Sequence, residues 1–179
     1  MTADDSGAPQ RPCSPQTLLD RLAAMGIEAE TLRHPPVFTV EEARALRGDL
    51  PGAHIKNLFL RDKKQRMWLL VCLADTKVDL KQLAARLGSK GLSFASAERL
   101  LTYWGVTPGA VTPFGAVNDS EGAVQVVLER AILTHERVNC HPLDNAMTTN
   151  IATADLLRFL EATAHPPQFI ELAESGAAA

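Results

Sequence analysis

Two adjacent polar residues, Lys56 and Asn57, interrupt an apolar stretch that is typical of a β-strand, within GAHIKNLFLRDKK (52–64). Side chains alternate along a strand, so Lys56 and Asn57 are expected to point to opposite faces. Lys56 shares its face with Leu58 and Leu60, where an ammonium group must reach solvent, pair with an anion or line a pocket. In a pocket, Lys56 could bind a phosphate or polarise a carbonyl, and Asn57 would add an amide donor and acceptor.

A second candidate site is the segment GVTPGAVTPFG (105–115), which holds three glycines and two prolines in eleven residues. Glycine lets the backbone approach a ligand closely, and consecutive amide groups can bind an oxyanion or a carbonyl oxygen. The segment has neither the GK[ST] ending of a Walker A loop nor the GxGxxG pattern of a dinucleotide site. An ordinary turn is therefore the alternative interpretation.

The third candidate is His141, in the segment VNCHPLDNAMTTN (138–150), which also contains Asn145. A lone histidine is either a structural hydrogen-bonding residue or a group that binds substrate and moves protons. Cys140 precedes His141 directly. Adjacent residues of a strand point to opposite faces, so these two side chains cannot easily form a nucleophile–base pair.

Other familiar catalytic motifs are absent from the sequence. It has no G-x-S-x-G elbow, no HExxH and no DxDxDG. The three cysteines are odd in number and form no CxxC spacing, which argues against a disulfide framework and against a zinc site: Cys13, Cys72 and Cys140. Within WLLVCLA, Cys72 is expected to be a small buried thiol.

Strands and helices interleave along the chain and must position these residues. Apolar spacing predicts helices over 15–25, 40–47, 79–87, 97–104 and 152–163. Period-2 patterns and short apolar runs predict strands over 27–33, 54–60, 67–74, 92–96, 124–129 and 168–172, with extended segments at 137–143 and 148–152 that pair with each other. The sequence therefore predicts an α/β or α+β fold with a mixed sheet.

Local signals support three of these elements. Ser14 is a candidate N-cap for the first helix, and Thr39 with Glu42 forms a capping box for the second. The run 67–74 is continuously apolar, which is typical of a strand buried on both faces.

Length and composition are those of an ordinary soluble globular protein. The chain has 179 residues, of which 46% are hydrophobic and 22% charged, enough for one domain with a substantial core. No apolar run approaches the roughly 18–20 residues that span a bilayer, and the N-terminal segment lacks the features of a secretory signal. We expect a disordered lead-in at 1–14, one domain at 15–173 and a flexible tail at 174–179. We expect the protein to reside in the cytoplasm.

The net charge of −3 excludes a generalised basic surface for nucleic acid. A local basic surface remains possible, because Arg61, Lys63, Lys64 and Arg66 cluster in one predicted turn. Further cations follow at Lys77, Lys81, Arg86 and Lys90. The alternative is a solvated face with no ligand.

Taken together, these segments resemble the YbaK/prolyl-tRNA-synthetase-associated editing domain family, and more closely its free-standing alanyl-tRNA(Pro) deacylases. The resemblance covers about residues 15 to 172. Five co-linear motifs carry it: HPPVFTVEEA (34–43), GAHIKNLFLRDKK (52–64), WLLVCLADTKVDLKQLAARLG (68–88), GVTPGAVTPFG (105–115) and VNCHPLDNAMTTNIATADLLRFLEATAHPP (138–167). It implies the family fold, a single domain whose mixed, mostly antiparallel sheet is flanked by helices.

The resemblance implies hydrolysis of the ester that joins a wrong amino acid, here alanine, to the 3′ end of tRNA(Pro). Alanine is smaller than proline, and losing apolar contacts lets a synthetase discriminate by only about 1–3 kcal/mol. A second site that admits only small side chains corrects this error. An activated ester needs a positioned water and charge stabilisation, so no covalent nucleophile, metal or cofactor is implied. A ribose hydroxyl of the tRNA is one candidate acceptor for the proton of that water.

The resemblance also implies roles for individual residues. Lys56 would meet the charge of the terminal nucleotide or of the developing oxyanion, with Asn57 beside it. Backbone amides near Gly109 and Gly115 would hold the aminoacyl carbonyl. The amino acid itself would be bound by His141, Val37, Phe38, Thr39 and Asn145.

Alternative functions remain open at this point. Within the same class, the substrate could be Cys-tRNA(Pro) or another small aminoacyl-tRNA, and Cys140 stands where a bulkier apolar residue is expected in close relatives. In a different class, the chain could be a noncatalytic module that binds an aminoacyl or nucleotide end. The implied partners are the acceptor end of tRNA(Pro) and prolyl-tRNA synthetase, which would compensate for weak tRNA binding by an acidic protein. No membrane and no DNA partner is expected.

Overall fold

A computed structural model describes residues 12–39, 41–42, 45 and 50–172 of the chain. This part of the chain contains eight strands: β1 (Ala29–Arg33), β2 (Ala53–Asp62), β3 (Met67–Leu73), β4 (Leu92–Phe94), β5 (Val124–Glu129), β6 (Arg137–Cys140), β7 (Met147–Ala152) and β8 (Gln168–Ile170). Its helices are α1 (Pro15–Ala24), α2 (Leu80–Arg86), α3 (Ala97–Trp104) and α4 (Thr153–Ala162), with short 3₁₀ helices at Pro113–Asn118 and Arg130–Thr134.

The strands form one mixed sheet in the order β1-β7-β6-β2-β3-β5-β8, with β4 paired to β2. Four neighbouring pairs are antiparallel: β1–β7, β2–β3, β2–β4 and β6–β7. Three pairs are parallel: β2–β6, β3–β5 and β5–β8. The predicted fold class, a mixed and mostly antiparallel sheet flanked by helices, is confirmed.

The central strands are buried because helices cover both faces of the sheet. One face packs against α1, α3 and α4 in a core that includes Leu22, Trp104 and Phe159. The other face packs against α2 in a smaller core around Leu60, Leu70 and Leu83. The prediction that the run 67–74 is a strand buried on both faces is confirmed, since every residue of β3 except its last, Leu73, is buried.

Side-chain caps begin several helices where the sequence indicates. Ser14 Oγ accepts a hydrogen bond from Thr17 N at 3.1 Å at the start of α1. The predicted capping box is confirmed, because Glu42 N donates to Thr39 Oγ1 at 3.1 Å and Thr39 N donates to the Glu42 carboxylate at 3.2 Å. Most of the predicted helix over 40–47 lies outside the described residues, as do residues 1–11 and 173–179.

Two features differ from the sequence-based expectation. The 3₁₀ helices at Pro113–Asn118 and Arg130–Thr134 were not predicted; such short turns have no apolar period long enough to detect. The strands predicted over 92–96 and 168–172 are shorter, because each of these strands pairs at only three positions. Within the described residues, no helix has the length and apolar character to cross a bilayer.

A buried histidine–aspartate pair joins the end of α4 to the end of the 3₁₀ helix Pro113–Asn118. His165 Nε2 lies 2.9 Å from Asp119 Oδ2, and His165 Nδ1 lies 2.7 Å from the carbonyl of Thr163. The imidazole also meets the ring of Trp104 edge-on, with the ring centroids 5.5 Å apart. Burial opposes ionisation of Asp119, but hydrogen bonds from His165 and from the Val124 and Ala123 amides offset it and lower the pKa of the carboxyl.

We predict that His165→Leu destabilises the fold by roughly 3 kcal/mol, because it leaves the Asp119 carboxylate buried without its partner. The pKa of Asp119 is lowered by folding, so the contribution of the pair is present above the usual aspartate pKa of about 4 and is lost as the pH falls through the lower, folded value. Urea unfolding of both proteins should therefore show a difference in unfolding free energy that shrinks as the pH falls below about 4. A loss below 1 kcal/mol, or one independent of pH, would contradict this role.

Candidate functional site

Lys56 and Asn57 lie on opposite faces of β2, as the alternation of the sequence predicts. Leu58 and Leu60, which share the face of Lys56, pack in the smaller core, whereas Phe59 packs in the larger one. The strand thus presents one polar side chain to each side of the sheet.

Lys56 forms a hydrogen bond just beyond the end of the neighbouring strand, β3. It lies opposite Cys72 of β3, and its Nζ donates a hydrogen bond to the carbonyl of Thr76, in the loop that follows β3. The side chain is half-buried. An ammonium group has three N–H donors, so this bond leaves donors for a ligand.

Asn57 joins β2 to the glycine-rich segment. Its Nδ2 donates to the carbonyl of Val111 at 3.1 Å. Its Oδ1 is buried and has no hydrogen-bond partner among the described residues. Because an unpaired buried carbonyl is costly, this oxygen is a candidate acceptor for a ligand donor.

The edge of β2 that faces away from β3 is open in its middle. β6 pairs with β2 only at Ala53 and His54, and β4 pairs only at Leu60–Asp62. Bonds such as Ala74 N to His54 O at 2.9 Å show that the even-numbered residues of β2 direct their backbone groups to β3. The N–H and C=O of Asn57 therefore face the opposite edge, in a gap that no described strand fills.

The glycine-rich segment borders this gap, but its glycines differ in surroundings. Gly109 is exposed and has a φ of +92°, and a Cβ built on it would lie 3.4 Å from Asn145 Nδ2. The structure thus brings together two of the predicted site residues, Gly109 and Asn145.

Gly115 has a structural reason for being glycine. It is buried, and a Cβ there would lie 2.1 Å from the ring of Trp104. Its N–H donates to the carbonyl of Thr112 at 3.2 Å and is not free for an oxyanion. The geometry therefore corrects the catalytic prediction for Gly115: this residue allows close packing under the loop, and tight side-chain packing cannot be seen in a sequence.

His141 follows β6 and is held in one tautomer. Its Nδ1 lies 2.8 Å from the carbonyl of Met147. A carbonyl only accepts, so Nδ1 carries the proton and Nε2 keeps its lone pair. Burial lowers the pKa of His141, and His34 lowers it further, while the Met147 bond and Asp144 act in the opposite direction. The net effect favours the neutral ring at pH 7.

His34, which begins the motif HPPVFTVEEA, lies beside His141, and the sequence did not single it out as a candidate. Its ring centroid lies 6.4 Å from that of His141. Thr148 Oγ1 lies 2.8 Å from His34 Nε2, and His34 N donates to Ala146 O at 2.9 Å. These bonds attach the chain before residue 35 to the loop that carries His141.

No described contact joins the predicted substrate-binding residues Val37, Phe38 and Thr39 to His141. Val37 is half-buried, Thr39 is exposed, and Phe38 has 80% of its surface exposed. Their role in binding the amino acid stays a prediction.

The register of the sheet brings Lys56 and His141 to the same region. His54 lies beside Asn139 in the parallel pair β2–β6. Lys56 follows His54 by two residues on the same face of β2, and His141 follows Asn139 by two residues, directly after the end of β6. Asn57 and the glycine-rich segment lie on the other face, so the open edge of β2 lies between the two groups.

The cysteines take no part in this site. Cys140 is buried in the larger core, on the side of the sheet away from His141, and burial raises the pKa of its thiol. Cys140 therefore cannot act as a nucleophile that His141 activates, and its side chain does not line a pocket beside His141. Its small side chain packs in the core instead. The three cysteines are free thiols. Among the described residues, no group of three or more histidine, cysteine or acidic side chains is arranged to bind a metal.

Comparison with known proteins identifies the family. The model of the aminoacyl-tRNA editing domain matches residues 34–159. The chain belongs to the aminoacyl-tRNA editing domain family. The family predicted from the motifs is thereby confirmed, and with it the class of enzyme, an aminoacyl-tRNA deacylase.

Individual relatives of this editing domain agree. The prolyl-tRNA editing protein ProX of Acetoanaerobium sticklandii is 38% identical over 158 residues, which cover 88% of this chain and 96% of that protein. The prolyl-tRNA synthetase associated domain-containing protein 1 of Danio rerio is 42% identical over 148 residues, covering 82% and 80%. A solved structure of a proposed trans-editing enzyme for prolyl tRNA synthetase has the same fold, with a TM-score of 0.70 at 20% identity over 90% of this chain and 97% of that one.

Proposed function

We propose that this editing domain acts in trans to hydrolyse the ester of Ala-tRNA(Pro). The observation that carries the proposal is the open edge of β2. There, Lys56 on one face and Asn57 on the other flank backbone groups that pair with no described strand. The likeness to the prolyl-tRNA editing protein ProX supports tRNA(Pro) as the source of the substrate.

In this proposal the aminoacyl ester enters the gap between β4 and β6. The free N–H groups of the Lys56 ammonium stabilise negative charge on the ester oxygen or on the terminal nucleotide. Backbone N–H groups of Asn57 and of the loop around Gly109 are further donors for the oxyanion. Donors that are fixed before reaction contribute most, because they need no reorganisation in the transition state.

Deacylation of Ala-, Cys- and Pro-tRNA(Pro), measured side by side, tests the substrate. We expect rapid loss of alanine only, and we expect Lys56→Ala to lower the rate by at least about 100-fold, the range found when an oxyanion donor is removed. Lys81→Ala, which removes an exposed lysine of α2, is the matched control and should react like the wild type.

Faster deacylation of Cys-tRNA(Pro) would leave the class of enzyme unchanged and would identify Cys-tRNA(Pro), instead of Ala-tRNA(Pro), as the substrate. Binding of the charged tRNA without turnover of any of the three would instead favour the noncatalytic module.

We further propose that His141 binds the ammonium group of the amino acid. Its Nε2 keeps a lone pair because Nδ1 is bonded to Met147 O, and a neutral ring accepts a hydrogen bond where an imidazolium would repel the cation. In this proposal the side chains of Asn145 and Val37 limit the size of the amino acid.

This role predicts a pH dependence. Because the pKa of His141 is lowered, kcat/KM should fall in solution more acidic than the usual histidine pKa of about 6.5, as the ring gains its proton. It should also fall above about pH 8, where the α-ammonium group of the substrate loses its own proton, so only the acidic limb reports on His141. His141→Gln should lose this acidic limb and lower kcat/KM by about tenfold, the effect of one hydrogen bond to a charged group. His135→Gln alters a histidine outside the site and should keep the wild-type profile; an acidic limb that survives in His141→Gln would contradict the assignment.

The turn between β2 and β3 supports a contact with the tRNA acceptor stem. The Asp62 carboxylate is buried and accepts bonds from Lys64 N at 2.9 Å, Arg66 N at 3.0 Å and Arg66 Nε at 2.6 Å. It fixes the turn and neutralises Arg66, while Lys63 and Lys64 remain exposed. At about 3.3 Å per residue, Lys63 lies roughly 23 Å from Lys56 along the chain. With Lys56 at the 3′ end of the tRNA, this distance takes Lys63 past the terminal nucleotides to the acceptor stem.

We expect Lys63→Ala and Lys64→Ala each to weaken tRNA binding and to reduce the slope of log K against log salt by about 1. Neither change should affect hydrolysis of a short substrate, alanine esterified to adenosine, which lacks the stem. Arg21→Ala removes an exposed cation of α1 and is the control. Equal losses with the long and the short substrate would refute this contact.

A further inference from the structure

The loop between β3 and α2 links Lys56 to a buried carboxylate. Lys56 Nζ donates to the carbonyl of Thr76. The hydroxyl of the same threonine donates to Glu129, at 3.0 Å from Oε1 and 2.9 Å from Oε2. One residue therefore joins the candidate catalytic ammonium to an acid of the core.

Glu129 is placed to hold this loop firmly. It is the last residue of β5 and has only 5% of its surface exposed. Its Oε2 also accepts the N–H of Leu73, the last residue of β3, at 2.8 Å. Burying a carboxylate is costly unless donors satisfy it, so its bonds to Leu73 and Thr76 fix the chain where it leaves the sheet.

The electrostatic surroundings of Cys72 agree with this arrangement. Burial raises the pKa of the Cys72 thiol to about 12, and Lys56 lowers it while Glu129 raises it further. Both charges therefore act on one thiol of β3, which lies opposite Lys56 in the sheet.

We propose that Glu129 is a positioning residue for Lys56, acting through Thr76. This inference rests on the proposed function of Lys56. A lysine side chain is long and flexible, so ordering it costs rotamer entropy. The Thr76 carbonyl selects one position of the ammonium, and Glu129 keeps that carbonyl in place, so that the remaining N–H donors face the open edge of β2.

The decisive variants change Thr76. Thr76→Val keeps the shape of the side chain but removes the bond to Glu129, and Thr76→Ser restores a hydroxyl. We expect Thr76→Val to slow single-turnover deacylation at saturating enzyme by about tenfold or more, without a change in the Kd for uncharged tRNA. Thr76→Ser should stay within about twofold of the wild type. Glu129→Gln, which keeps the size but loses one acceptor, should also slow the reaction.

Two matched controls lie close to these residues. Thr134→Val alters an exposed threonine that bonds only locally, to Ala131 O at 2.8 Å. Glu171→Gln alters a carboxylate whose side chain is 77% exposed and which lines the same surface cavity as Thr76 and Glu129. Both should react like the wild type.

A second readout does not depend on turnover. Reductive methylation, followed by mass spectrometry, reports how freely Lys56 leaves its hydrogen bond, with exposed Lys63 as the internal standard. We expect Lys56 to be methylated several-fold faster in Thr76→Val than in the wild type or in Thr76→Ser.

Unchanged methylation of Lys56 in Thr76→Val would overturn the inference. This holds if the deacylation rate is also unchanged, and it holds if the rate falls only because the variant is less stable, as a lower Tm would show. If the wild-type protein deacylates none of the three tRNAs, the proposed function fails by itself. The methylation rates would still decide whether Glu129 and Thr76 hold Lys56.

Discussion

The site depends on how β2 distributes its backbone hydrogen bonds. Along one edge β2 pairs with β3 from Ile55 to Arg61, which fixes the strand in the centre of the sheet. Along the other edge it is paired only near its ends, so the backbone groups of Asn57 have no strand partner among the described residues. A central strand gives rigidity, and an unpaired stretch of it gives binding groups that are already in place.

Two polar side chains at the same point require compensation on both faces of the sheet. The loop carbonyl of Thr76 accepts from Lys56 on one side, and the carbonyl of Val111 accepts from Asn57 on the other. These bonds satisfy polar groups that would otherwise destabilise the fold. They also tie two loops to the strand, so the groups that stabilise the site are the ones that shape it.

Much of this site follows from local sequence patterns. Strict alternation places Lys56 and Asn57 on opposite faces, and glycine content singles out the loop that carries Gly109. Other features depend on contacts between distant segments. The open edge of β2 results from where β4 and β6 end, the support of Thr76 comes from Glu129, 53 residues away, and Gly115 is explained by the ring of Trp104. The motif HPPVFTVEEA does contain His34, but only the fold brings His34 beside His141.

Binding of a stable substrate mimic tests the account most directly. Alanine joined to the 3′ position of adenosine through an amide cannot be hydrolysed as the ester is, and its contacts can be followed by backbone NMR shifts or by a crystal structure. We expect perturbations confined to residues 55–59, the loop around Gly109, and His141. Binding instead in the cavity of about 850 Å³ lined by Asp75, Lys77 and Arg130 would contradict it.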